Sequence, residues 1–133
     1  MRTALATLTL FALSGVATAA GRYVGPGACA STTCHGSTTP RRDSPTSLQN
    51  EYVTWSRSDR HARAFAVLRT ERALRIARLV GMASGDATPT TWLAHAPRPE
   101  RCLDCHTLAP AGEPHLDAAE GVSCEACHGP AAD

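Results

Sequence analysis

The amino-acid sequence predicts a mainly helical, loop-rich fold with little or no sheet, and three observations carry that expectation. Residues 47–80 run without proline or glycine and are rich in good helix formers. The stretches on either side, 21–46 and 83–99, have the Gly, Pro, Ser and Thr content of irregular loop. Aromatic residues make up only 5% of the chain, so side chains alone supply little volume for a core and something else must fill the middle.

Residues 1–20 stand apart. Arg2 opens a short positive start, Ala4 to Leu13 form an apolar run, and Ala17-Thr18-Ala19-Ala20 reads as a small-residue cleavage site, the pattern of an export signal peptide cut after Ala19 or Ala20. A transmembrane anchor fits less well, because threonines and a glycine interrupt the run and no basic stop follows it. The expectation is a mature domain of residues 21–133 in the periplasm or otherwise exported, with no stable membrane span. All 13 basic residues are arginine and the formal net charge is +1, which excludes electrostatically driven nucleic-acid binding.

Within the helical stretch, Ser47 is the expected N-cap, with Asn50 and Glu51 in the first turn. Leu48, Tyr52 and Trp55 share one face, and Ala62, Phe65 and Leu68 share another. Ser58-Asp59 can divide the segment, capping a second helix that begins near His61. Arg69, Arg72, Arg75 and Arg78 then recur at three-residue spacing, with Ala73, Ile76 and Ala77 expected opposite them and Gly81 as the stop. The arginines read either as a solvated face or as partners for carboxylates of a bound group. Met82 reads as a gap-filling or exposed residue.

The chemistry lies in three cysteine pairs: Cys29 with Cys34, Cys102 with Cys105, and Cys124 with Cys127. In each, a histidine directly follows the second cysteine: His35, His106 and His128. With 6 histidines in 133 positions, three such coincidences have a chance of roughly one in ten thousand. The pattern is that of covalent c-type haem attachment: two thiols bind the porphyrin, and the adjacent histidine is held under the ring to ligate the iron. Three haem c groups are therefore expected, forming the core. The second and third pairs have the usual two-residue gap, while the first has four residues that can bulge outward. Residues 107–123, with Pro110, Gly112 and Pro114, connect the last two sites.

Other readings of the cysteines explain less. Cys102, Cys105, Cys124 and Cys127 have the spacing of a four-cysteine zinc site, but zinc leaves the three adjacent histidines and the first pair without a role. Three disulfides suit an exported chain, but two-residue loops between bonded cysteines are strained. The remaining histidines, His61, His95 and His115, match the haems in number, so every iron can have an imidazole on both faces, an arrangement suited to electron transfer.

Tyr23-Val24-Gly25, Glu51-Tyr52-x-x-Trp55 leading to His61-Ala62, and Gly121-Val122-Ser123-Cys124-Glu125-Ala126-Cys127-His128-Gly129-Pro130 together resemble the multihaem cytochromes of the tetrahaem cytochrome c-554 family. The resemblance implies closely packed haems in a mostly helical, loop-rich shell, and a distal iron ligand at His61. It adds little for His95 and His115. Members of that family continue past the Cys-His-Gly-Pro stretch, which implies that the 133 residues are the N-terminal part of a longer protein.

Two functional classes follow. An electron carrier with redox protein partners, rather than an enzyme, is the first expectation, because six histidines can close all three irons. The alternative is the haem-bearing part of a multihaem redox enzyme with one open iron site.

Overall fold

A computed structural model describes residues 21–108 and 113–132. The signal-peptide reading of residues 1–20 lies outside the described residues, as do Pro110 and Gly112 of the 107–123 connection. Among the described residues, four α-helices stand in loop and short 3-10 turns: α1 Glu51–Ser58, α2 Glu71–Leu79, α3 Glu100–His106 and α4 Glu125–His128. No strand occurs among the described residues. Among them, the backbone pairing of that kind is an isolated antiparallel bridge between Arg22 and Ala132. The helical, loop-rich architecture is the one expected from composition and periodicity.

The 47–80 stretch is helical in pieces, and polar side chains set the breaks. The first helix begins at Glu51 rather than next to Ser47, because Gln49 takes a left-handed φ of 58° that no helix propagates. Glu51 reaches back to accept the Leu48 N–H at 2.7 Å and the Ser47 hydroxyl at 3.3 Å, so Ser47 braces the helix start without capping it. Helix α1 ends where Asp59 turns extended and accepts the His61 N–H at 2.9 Å, and a 3-10 turn runs from His61 to Arg63. Thr70 makes the next break and caps α2, its hydroxyl accepting the Ala73 N–H at 3.3 Å.

Gly81 is the stop expected of it. Its φ of 71° closes α2 with the Met82 N–H bonded to the Ala77 carbonyl at 2.7 Å and the Gly81 N–H to Arg78 at 3.1 Å, a Schellman end. Met82 thereby turns inward and fills the core. The apolar cluster is small: Phe65, Leu68, Leu74, Ala77, Met82 and Trp92. The Trp92 ring N–H donates to the Leu68 carbonyl at 2.7 Å, so its one polar atom is satisfied inside the cluster. Cys102, Leu103 and Ala118 pack against this cluster, which places the second cysteine pair beside it.

The core face of α2 differs from expectation. Leu74 and Ala77 are buried, whereas Ile76 is 53% exposed. Two of the four arginines have local partners: Arg69, in the 3-10 turn before α2, lies 5.0 Å over the Phe65 ring, and Arg78 of α2 donates to the carbonyls of Ser84, Gly85 and Ala87. Leu74, not Ile76, joins Phe65 and Trp92 in the apolar cluster. Leu74→Ala is expected to lower unfolding stability by about 2–5 kcal/mol. Ile76→Ala is expected to change it by no more than about 0.5 kcal/mol. Urea midpoints for the two variants test this, and equal losses would mean that both faces are packed.

Candidate functional site

A cavity of about 820 Å³ opens between the first and third cysteine pairs, with Cys29, His35, His61, Cys124, Cys127 and His128 among its lining residues. That volume lies in the range that encloses cofactor-sized ligands. Cys34 and Cys105 are exposed and lie outside it. Cys29 and Cys124 are half-buried neighbours: burial first, and then the Cys29 thiol, push the Cys124 thiol up. Cys102 is half-buried on the other side, against the apolar cluster.

In the first pair, the four intervening residues fold into a turn. The Ser31 carbonyl accepts both the Cys34 N–H at 2.9 Å and the Gly36 N–H at 2.8 Å. Gly36 lies so close to the Ala30 carbonyl that a Cβ there would collide with main chain, so only glycine permits the turn. His35 is then anchored twice to the start of α1. Its carbonyl accepts the Tyr52 N–H at 2.9 Å, and its Nδ1–H donates to the Glu51 carboxylate at 3.0 Å. The His35 ring is the main cause, with the Glu51 and Leu48 N–H groups assisting against slight burial, that brings the Glu51 carboxyl down to about 2.

His106, the last residue of α3, uses the same nitrogen differently: its Nδ1–H donates to the Ala64 carbonyl at 2.7 Å. His61 donates Nδ1–H to the Asp59 carboxylate at 2.9 Å. The His61 backbone N–H, and then its ring, hold Asp59 below its ordinary range. In all three cases Nδ1 is committed to an oxygen and Nε2 is left for a ligand, the arrangement that orients metal-bound imidazoles.

The main chain fixes His61 beside the third pair. The Val122 N–H donates to the His61 carbonyl at 3.0 Å, and the Trp55 ring N–H donates to the Val122 carbonyl at 3.0 Å. Gly121 has φ 69° and sits directly against the His61 carbonyl, leaving no room for a side chain. The other two candidates lie elsewhere. His95 ends the 3-10 turn Trp92–His95 and borders a separate hollow of about 570 Å³ lined by none of the six cysteines. His115 donates Nε2–H to the Tyr23 carbonyl at 2.8 Å and turns Nδ1 toward Glu113 at 3.4 Å. It lines neither hollow.

Among the described residues, no group of three or more His, Cys, Asp or Glu converges as a metal cage. The thiols of Cys102, Cys105, Cys124 and Cys127 are thus not gathered in the tetrahedral form their spacing allows. All six cysteines are unbonded to one another. Paired free thiols with separate imidazoles suit a macrocycle that brings its own ring nitrogens to the iron and needs only axial ligands from the protein.

Sequence reasoning did not single out Glu125. This residue lies between the cysteines of the third pair and is buried. Its carboxylate accepts the N–H groups of Val24 at 3.0 Å, Gly25 at 2.8 Å and Ala131 at 2.9 Å. An acidic residue between two attachment thiols was the available signal, but nothing local reveals its partners.

Burial opposes ionisation of Glu125, but the N–H donors of Ala131, Val24 and Gly25 outweigh it and set the carboxyl below its ordinary 4.5. The stability this contributes is present above that value and is lost as pH falls below it, since the unfolded chain then binds the proton more readily. Glu125→Gln is expected to cost about 1–3 kcal/mol at neutral pH. It should also flatten the loss of stability below pH 4.5 in urea melts taken across the acid range. An unchanged acid slope would mean that another carboxylate governs it.

No helix among the described residues is long and apolar enough to cross a membrane. No curated protein and no solved structure matches the chain. Residues 28–129, from just before the first cysteine pair to just after the third, match the family of cytochrome c554 and c-prime. Membership implies c-type haem and haem-based electron transfer, in agreement with the paired thiols and oriented imidazoles. By that match, and by its helical, loop-rich fold, the chain belongs to the cytochrome c554 and c-prime family.

Proposed function

We propose that the chain is an exported, periplasmic electron carrier holding three haem c groups, at Cys29, Cys34 and His35, at Cys102, Cys105 and His106, and at Cys124, Cys127 and His128. One observation carries the reading: His35 and His106 each commit Nδ1 to an oxygen acceptor, leaving Nε2 for iron. His61 is the preferred distal ligand, since it is oriented in the same way and lines the cavity with the first and third pairs. His95 and His115 remain the further distal candidates. Bound haem supplies a one-electron iron couple, and the protein supplies ligation, orientation and electrostatics. Redox proteins are the partners this chemistry requires.

The alternative, a haem-bearing part of a redox enzyme with one open iron, is favoured by a single observation. Of the three histidines outside the motifs, only His61 lines the cavity that two attachment sites share. Intact mass should show three haem additions, and Cys29→Ser combined with Cys34→Ser should remove one. A colourless, zinc-containing product would overturn the cytochrome assignment of these sites. Electron paramagnetic resonance of the full natural protein separates the two classes. Only low-spin ferric signals, with no carbon monoxide binding on reduction, support the carrier, while a high-spin, ligand-accepting haem supports the enzyme part. His61→Met should raise one midpoint potential, and no change would remove His61 from the ligands.

A further inference from the structure

Charge is distributed unevenly over the three attachment sites. The cavity shared by the first and third pairs is lined by three carboxylates, Glu51, Asp59 and Glu125, and by no arginine. Each is fixed by hydrogen bonds: Glu51 to the His35 ring, Asp59 to the His61 ring, and Glu125 to three backbone N–H groups. The second pair has a different setting. His106 donates to a neutral carbonyl, that of Ala64, and Cys102 packs against the apolar cluster. The charged residues of α3, Glu100, Arg101 and Asp104, are exposed and of both signs, so their fields largely cancel, whereas Glu51, although its side chain is 46% exposed, acts through its direct hydrogen bond to the His35 ring.

We infer that the chain has a built-in redox polarity: the sites facing the shared cavity hold haems of low potential, the site at Cys102, Cys105 and His106 holds the haem of highest potential, and Glu51 and Glu125 set the difference. The inference rests on the attachment sites proposed above. Ferric iron takes up one electron to become ferrous, with no bond made or broken, so the site loses one positive charge. A fixed carboxylate nearby favours the more positive ferric form. A carboxylate on the Nδ1–H of an axial histidine also makes that ligand more basic, which acts in the same direction. Apolar surroundings with a neutral acceptor favour the ferrous form instead. All three effects rank the second site above the other two.

The test is a potentiometric titration of the haem-loaded protein, followed by visible absorption and electron paramagnetic resonance. Haem number is first fixed by intact mass. Cys102→Ser combined with Cys105→Ser should remove the wave of highest potential, and loss of a lower wave overturns the polarity. Glu51→Gln keeps an oxygen acceptor for His35 and removes the charge. It should raise one of the lower midpoints by about a tenfold change in the reduction equilibrium, about 59 mV for one electron, and leave the highest wave in place. Glu125→Gln should raise the other lower midpoint. If that variant does not fold, Asp59→Asn, which keeps an oxygen acceptor for the His61 ring in the same cavity, takes its place with the same expected direction. Midpoints that do not move, or movement of the highest wave alone, overturn the inference. Fewer than three haems by mass in the unmodified protein instead refutes the proposed sites, so the two failures are told apart.

Discussion

The Glu125 carboxylate ties the segment before the first cysteine pair to the third pair. It lies between the thiols of the third cysteine pair and gathers backbone N–H groups from residues 24, 25 and 131. A buried carboxylate without such donors would be a large liability, and buried N–H groups without an acceptor would be nearly as costly. Each therefore requires the other. With this bond set in place, Arg22 and Ala132 can pair, Tyr23 can present its carbonyl to His115, and Cys29 comes to lie beside Cys124. The first attachment site borders the third because this carboxylate holds the segment that precedes it.

A second set of contacts joins the helical stretch to the same place. Trp55, Val122 and His61 form a short relay of hydrogen bonds, and Gly121 lets the two backbones approach without a side chain between them. His61 thus lines the cavity with its backbone tied to Val122. Its neighbour Asp59 ends α1, starts the next turn and orients the imidazole, so one carboxylate serves the backbone and the site together.

Among the described residues, the buried apolar cluster shares no residue with the lining of that cavity. Phe65, Leu68, Leu74, Ala77, Met82 and Trp92 form the cluster, and the second cysteine pair rests on it. Around the first and third pairs a cavity stands where a core would be. A chain with so few aromatic residues cannot fill both places with side chains, and the paucity of large residues noted in the composition is the counterpart of that cavity. The two environments differ in dielectric and charge, which is the physical ground for expecting different redox properties from sites with the same local motif.

The sequence by itself determined the fold class, the family, the break at Asp59 and the stop at Gly81. Those properties rest on short-range rules: periodicity, capping by Asp59, the left-handed stop at Gly81, and the spacing of cysteine and histidine, whereas the break and cap at Thr70 came only with the structure. Local rules also misplaced two details. Ser47 had the chemistry of a cap, but the φ of Gln49 moved the helix start to Glu51. Ile76 had the spacing of a core residue, but Leu74, on the same side of α2 as Ala77, packs into the apolar cluster instead. Only the tertiary structure decided that the first and third pairs face one cavity, that Glu51 serves His35 while a carbonyl serves His106, and that Glu125 is buried. These pairings join residues from 16 to 101 positions apart, a separation at which hydrogen bonding and burial select partners that no local spacing encodes.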